Sequence, residues 1–250
     1  MGRGTPRTRG LMKLGLISDI HGNAVALELV LSVLDAEGAT KIWSLGDDVG
    51  YFADSTQVLA TLRARGIPSL LGNHEAMVIG ALAEPSADKA EVYDLARTRT
   101  SLAPELPELA ARVPFRQERW GAGRALLCHG SPWNPVNGYI YPDGPLARFA
   151  ALPYDLVFMG HTHRPMNVNI ERPFGTPVRV VNVGSTGLPR DDGRFASCAL
   201  VDTHSGEVEI LRVPLPLGEI RARYHIETGP VHECMNRMVP SNMLVGRIVS

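Results

Sequence analysis

At 250 residues, with 44% hydrophobic and 20% charged side chains, the chain can bury a sizeable core, which excludes an extended disordered protein. A net charge of -1 removes the bulk positive field expected of a binder of long nucleic acid or of an anionic membrane, and no apolar run is long enough for a membrane span. The three cysteines, Cys128, Cys198 and Cys234, are odd in number and unpaired in spacing, so they predict reduced thiols in a cytoplasmic setting rather than disulfides or a zinc-thiolate cluster.

Residues 1–11 are basic and broken by Gly and Pro, which predicts a disordered tail; no apolar segment of a secretory signal follows, and Met12 is an alternative start. Residues 12–250 read as one domain. Lys13 to Ile17 is a short apolar run, expected to be a buried strand. Ala24 to Glu37 has helical periodicity, with Val25, Leu29, Val33 and Leu34 on one side and Gly38 closing it. A second strand is expected over Lys41 to Leu45, a second helix over Ser55 to Arg65 and a third strand over Ile67 to Leu71. This alternation predicts a parallel sheet with crossover helices.

Ala81 to Arg112 is Ala-rich and interrupted by Pro85, Pro104 and Pro107, which predicts several short helices covering one side of the sheet. Six β-type runs then follow, at Arg124 to Cys128, Leu156 to Met159, Met166 to Ile170, Val178 to Val183, Cys198 to Asp202 and Val208 to Val213. They predict a second sheet packed on the first, hence an α/β architecture of two packed mixed sheets flanked by helices. Residues 218–250 are poorly patterned and are expected to be a helix and a tail.

Metal-capable residues cluster where an apolar strand has just ended. The clusters are Asp19-Ile20-His21-Gly22-Asn23, Gly46-Asp47-Asp48, Gly72-Asn73-His74-Glu75, His129-Gly130 and Gly160-His161-Thr162-His163, and they hold five of the eight histidines. Loops at the carboxyl ends of parallel strands are where α/β folds bind ligands. Residues two apart, such as Asp19 and His21, cannot share a metal from a flat strand but can from a curled loop. Two carboxylates, one amide oxygen and four imidazoles exceed what one tetrahedral ion needs, so they predict two divalent ions. Mixed nitrogen and oxygen donors favour manganese, iron, zinc, cobalt or nickel over calcium or magnesium.

In this order, the five motifs resemble the signature of the calcineurin-like metallophosphoesterases, on the side of the small bacterial phosphodiesterases and phosphatases. The resemblance runs from Asp19 to about Asp192 and continues through Asn182-Val183-Gly184-Ser185 and Pro189-Arg190-Asp191. It implies a four-layer α-β-β-α sandwich that hydrolyses a phosphate ester by in-line attack of a metal-bridging hydroxide. It further implies that Asp19, His21 and His163 hold one ion, that Asn73, His129 and His161 hold the other, and that Asp47 bridges them. His74 would face the substrate as donor or acid. The protein Ser/Thr phosphatases carry Gly-Asp-x-Val-Asp-Arg-Gly, whose second Asp braces the catalytic His and whose Arg grips phosphate. Here Gly50 and Tyr51 stand at those two places, which argues for a small phosphodiester or phosphomonoester, a nucleotide derivative among the candidates. A phosphoprotein phosphatase and a non-catalytic scaffold of the same fold are the alternatives; a homo-oligomer is compatible with the sequence.

Plainer readings stand beside these. His204, His225 and His232 are expected to be ordinary packed histidines. Asp48 is given no role, and Glu75 either favours a helix N-terminus by its charge or braces the site from outside. Arg190 either reaches the phosphate or pairs with Asp191 or Asp192. The segment from Ser131 to Pro145 carries Trp133, Tyr139 and Tyr141; a packed loop or subunit contact competes there with a substrate-facing loop able to stack a base.

Overall fold

The computed structural model describes residues 12–249, so the expected basic tail at 1–11 lies outside the described residues. The apolar run forms β1 (Lys13–Ile17). Period two sends Leu14 and Leu16 towards a second sheet and Ile17 towards a helix. Helix α1 (Ala24–Ala36) starts where Asn23 Oδ1 accepts the Ala26 amide at 3.1 Å, and it buries Leu27, Val30, Leu31 and Leu34 on β1. Strand β2 (Lys41–Ser44) runs parallel to β1 and is followed by α2 (Ser55–Ala64).

The third strand expected over Ile67 to Leu71 does not form. Only Ser69 bridges Ser44. Pro68 has no amide to continue a ladder, and the Leu71 amide bonds Val113 O instead. After α3 (Asn73–Val78), the helical segment expected over Ala81 to Arg112 is present as α4 (Ala87–Val92), α5 (Leu95–Ser101) and α6 (Leu106–Ala110), and the apolar residues of these helices close over Val49 and Leu59.

The next element, β3 (Phe115–Trp120), was not expected from the sequence. Its text is half charged because it is an edge strand, and charge on an edge discourages further pairing. It pairs antiparallel with β4 (Gly123–Cys128). Then come β5 (Leu156–Met159), β6 (Met166–Ile170), β7 (Val178–Asn182), β8 (Phe195–Asp202) and β9 (Val208–Pro214). The poorly patterned end folds as α7 (Leu217–Tyr224), α8 (Gly229–Asn236) and a two-residue strand, β10 (Arg247–Ile248).

The strands make two five-stranded mixed sheets, ordered β10-β9-β8-β1-β2 and β3-β4-β5-β7-β6. Leu14, Leu16, Leu127, Phe158, Val181 and Ile210 fill the space between them. Helices α1 and α2 cover the outer face of the first sheet. A 3-10 turn over Leu146–Ala151, led by the buried Phe149, covers the outer face of the second. The result is the expected four layers, and it brings the carboxyl ends of β1, β2, β4 and β5 to one rim. No helix among the described residues is long and apolar enough to cross a membrane.

Because Phe158 is fully buried between the sheets, Phe158→Ala should destabilise the fold by about 3–5 kcal/mol in urea unfolding. Phe174→Ala, at a side chain 91% exposed, should leave the midpoint unchanged.

Candidate metal centre

Six of the seven candidate ligands follow a strand's end within a few residues, most of them through a left-handed turn, and Asn73 opens α3 shortly after the bridge at Ser69. Asp19, His21, Asp47, His161 and His163 all have φ between 53° and 65°. Non-glycine residues enter that region at a cost of roughly 1–2 kcal/mol each. These turns supply the curl that lets residues two apart aim at one point. Gly72 precedes Asn73 so closely behind Asp47 that a Cβ there would overlap the Asp47 carboxylate.

Backbone donors fix one oxygen of each carboxylate and leave the other free. The His161 amide donates to Asp19 Oδ2 at 2.9 Å, and Asp19 Oδ1 has no hydrogen-bond partner. The His74 amide donates to Asp47 Oδ1 at 2.9 Å, while Asp47 Oδ2 lies 3.2 Å from His129 Nε2 and 3.9 Å from His21 Nε2.

The imidazoles are oriented in the same way. His21 Nδ1 donates to Val49 O at 3.2 Å and His163 Nδ1 to Leu188 O at 2.5 Å. Carbonyls only accept, so each Nδ1 carries a proton and each Nε2 is turned into the site. Those two nitrogens face one another at 3.0 Å, with Asp19 Oδ1 3.2 Å from His163 Nε2 and 3.7 Å from His21 Nε2. Three buried donor atoms converge there, an arrangement that suits a cation. A second convergence lies alongside. His129 Nε2 is 3.0 Å from Asn73 Oδ1, 3.2 Å from His161 Nδ1 and 3.2 Å from Asp47 Oδ2. The seven candidate ligands therefore come together as two neighbouring groups with Asp47 between them, and His74 also comes within ligand reach of His21 and Asp47. The donor set fits two divalent ions.

The sequence pattern of the calcineurin-like phosphoesterase superfamily domain matches residues 12–206. The chain belongs to that superfamily. A protein of Methanocaldococcus jannaschii without assigned function is 29% identical over 217 residues, covering 80% of this chain and 86% of that one. Among solved structures, a metallophosphoesterase from Sphaerobacter thermophilus is 29% identical with a TM-score of 0.71, covering 86% of this chain and 93% of that one. A hypothetical protein from Pyrococcus horikoshii is 24% identical with a TM-score of 0.74, covering 91% and 98%; at that identity the likeness is one of fold.

Around the donors, this calcineurin-like phosphoesterase carries residues whose roles the sequence concealed. Glu75 is fully buried and accepts three backbone amides, those of Gly72 and Asp47 at 3.0 Å and of Asp48 at 2.7 Å. It thus braces the site from outside, tying the Asp47 loop to the Asn73 loop. Asp48 is not idle either. It accepts from Ser44 Oγ at 2.5 Å and from Arg112 Nη1 at 2.8 Å, and Arg112 also lies 3.5 Å from Glu75. Arg112 sits far away in sequence at the end of the helical segment, so no local pattern announces the pairing. Asn182 ties two loops of the second sheet together, and Ser185 ties that sheet's rim to the first. Asn182 Nδ2 donates to Gly160 O at 2.6 Å and Ser185 Oγ to Asp19 O at 2.7 Å.

Of the two readings of Arg190, the pairing with Asp191 or Asp192 does not form, because Asp191 is taken by Arg212 and Asp192 by Arg194. Arg190 instead donates to Tyr51 Oη at 2.8 Å. His74 packs against rings rather than a carboxylate brace: Tyr51 lies 5.2 Å away and nearly parallel, Tyr93 and His21 each 4.6 Å away. A Cβ on Gly50 would stand 2.5 Å from His74 Nδ1, so a bracing Asp at that position would collide with this ring. His204 and His225 are exposed rather than packed, and neither they nor His232 approach the site.

Burial pushes His161 down to about 3 and His163 to about 4, helped by the cationic neighbours His129 and Arg190 respectively. Burial also works against the charged form of His129, but the Asp47 carboxylate outweighs it and raises this ring to about 9. At pH 7 the metal-free site therefore holds a proton on His129, which a divalent ion must displace. Titrating manganese into metal-free protein should release about one proton from this group, seen as binding heats that vary with the buffer's ionisation enthalpy. The release should fade as pH rises through about 9; binding heats identical in all buffers at pH 7 would contradict it.

Proposed function

We propose that the chain is a dinuclear metal-dependent phosphoesterase acting on a small phosphodiester or phosphomonoester, with manganese as the working metal and a reducing, cytoplasmic setting in keeping with its three free cysteines. The observation that carries the reading is the 3.0 Å approach of the His21 and His163 Nε2 atoms beside an unpartnered buried carboxylate oxygen. In the proposed assignment Asp19, His21 and His163 hold one ion, Asn73, His129 and His161 hold the other, and Asp47 serves both. Bound ions at such a site supply a water of lowered pKa and neutralise charge developing on the phosphoryl oxygens.

The remaining roles fall to the chain's own side chains. Burial, reinforced by the surrounding histidines, holds His74 well below its usual pKa despite the nearby Asp47. Its ring is therefore neutral at pH 7 and offers one N–H. That suits a hydrogen-bond donor to a phosphoryl oxygen better than an acid that surrenders a proton to the leaving group. Arg190, its guanidinium steadied by Tyr51, is assigned a second contact to the phosphate. The arginine of the phosphoprotein phosphatase motif is replaced by Tyr51, so a cation for the phosphate has to come from another segment, and Arg190 is the one that reaches Tyr51. A scaffold role is disfavoured because the donor set is complete and His74 is retained beside it.

Protein purified without chelator should carry about two divalent ions by elemental analysis. Asp47→Asn should lower both occupancies together, whereas Asn73→Ala should empty mainly one; a single ion in the parent chain would end the dinuclear assignment. Removing the donor with His74→Ala should leave metal content intact and lower kcat about 10²–10³-fold. For a donor to the phosphoryl oxygen the loss should be equal on alkyl and p-nitrophenyl esters; a loss confined to alkyl esters would return His74 to the role of acid.

A further inference from the structure

Beyond β4 the chain makes a turn whose two tyrosines are used neither by the core nor by the metal centre. It is held by its own backbone. Ser131 and Asn134 exchange amide–carbonyl bonds of 2.9 and 3.2 Å, and the Gly130 and Gly138 amides donate to Pro135 O and Asn134 O at 2.6 and 3.0 Å. Ile140 anchors it from beneath, buried in one cluster with Cys128, Phe149 and Met159. On either side of that anchor, Tyr139 and Tyr141 are 50% and 39% exposed.

Their rings lie 14° from parallel with centroids 5.9 Å apart. Tyr139 also comes within 3.9 Å, centroid to centroid, of the His161 ring, so the pair abuts the metal centre. Arg164, exposed directly after His163, places its guanidinium 5.8 Å from the Tyr141 ring centre. Trp133, the third aromatic of the turn, behaves differently: it packs edge-on to Phe149 at 5.0 Å, with Arg148 over its face. Trp133 is as exposed as Tyr141, but its ring contacts are with the segment under the turn, whereas those of the tyrosines are with each other, His161 and Arg164. A rigid turn that keeps two parallel rings in water beside a catalytic centre has the form of a preorganised stacking surface.

We propose that Tyr139 and Tyr141 form a shelf for the organic group of the ester, a flat heteroaromatic ring of the nucleobase class, with Arg164 at its outer edge. The proposal rests on the phosphoesterase reading and adds to it the chemistry of the group the phosphate is attached to. Stacking accepts any base, since every base presents a π-face, and it contributes nothing to an ester that lacks one. Arg164 can add a cation–π contact or meet a polar edge of the base.

Calorimetric binding of adenosine 5′-monophosphate and of ribose 5-phosphate to the manganese-loaded protein isolates the shelf, because the two ligands carry the same phosphate and sugar. The parent chain should prefer the adenylate by about tenfold or more. Tyr139→Ala combined with Tyr141→Ala should bring the ratio close to one, and Tyr139→Phe with Tyr141→Phe, which keeps both rings, should restore it. Equal affinities in the parent chain, or a preference that survives loss of both rings, would overturn the shelf. Failure of the underlying reading would show separately, as no hydrolysis of bis(p-nitrophenyl) phosphate by the metal-loaded parent chain.

Discussion

Seven donor side chains converge on one buried place, and without a metal ion the one attraction that offsets their crowding is that of the Asp47 carboxylate for protonated His129. Much of the surrounding structure holds the crowded groups in place. Carbonyls at Val49 and Leu188 hold His21 and His163 by the far side of each ring, and amides at His161 and His74 hold one oxygen each of Asp19 and Asp47. The left-handed backbone at five of the seven positions is a further cost that isolated loops would relax by reopening. The fold thus holds strained backbone at one rim, a cost that a bound divalent ion would offset.

The two sheets make this arrangement feasible. Each contributes strand ends to the rim, and the apolar layer between them is broad enough to offset local strain. Outside the donors, Glu75, Asp48 and Arg112 form a buried charged cluster that sets the Asp47 loop against the Asn73 loop. Burial raises the Glu75 carboxyl to about 7 against the pull of Arg112, and three backbone amides hold it in place. Because the brace links the loop of the shared carboxylate to the loop of an amide ligand, the two halves of the site are mechanically joined before any metal arrives.

The seven donors were legible in the sequence because six of them follow a strand end, Asn73 follows an apolar run that only bridges β2, and His, Asp and Asn announce their chemistry by type. The first two strands and helices were legible in place and extent, although the stripe that α1 buries runs through Leu27, Val30, Leu31 and Leu34 rather than Val25, Leu29 and Val33. What stayed hidden depends on distant partners. Asp48 reads as an ordinary solvated carboxylate until Arg112 arrives from the end of the helical segment, and Arg190 gave no local hint of Tyr51. Strand β3 was missed because an edge strand needs charge where a central strand needs apolar alternation. The run at Ile67 to Leu71 was misread for the opposite reason: it is apolar, yet Pro68 denies it a ladder.

The antiparallel pairing of β8 with β9 has a consequence for what counts as a unit here. The family pattern ends at residue 206, in the turn between these two strands. Seven registered pairs join them, and β9 sends Leu211 and Val213 into the core beneath α1. A chain ended at 206 would leave β8 as a bare edge with apolar residues uncovered, a template for aggregation rather than a free-standing catalyst. Inheritance of the chemistry and autonomy of folding therefore have different boundaries in this protein. The segment that carries every candidate ligand depends on a strand that carries none.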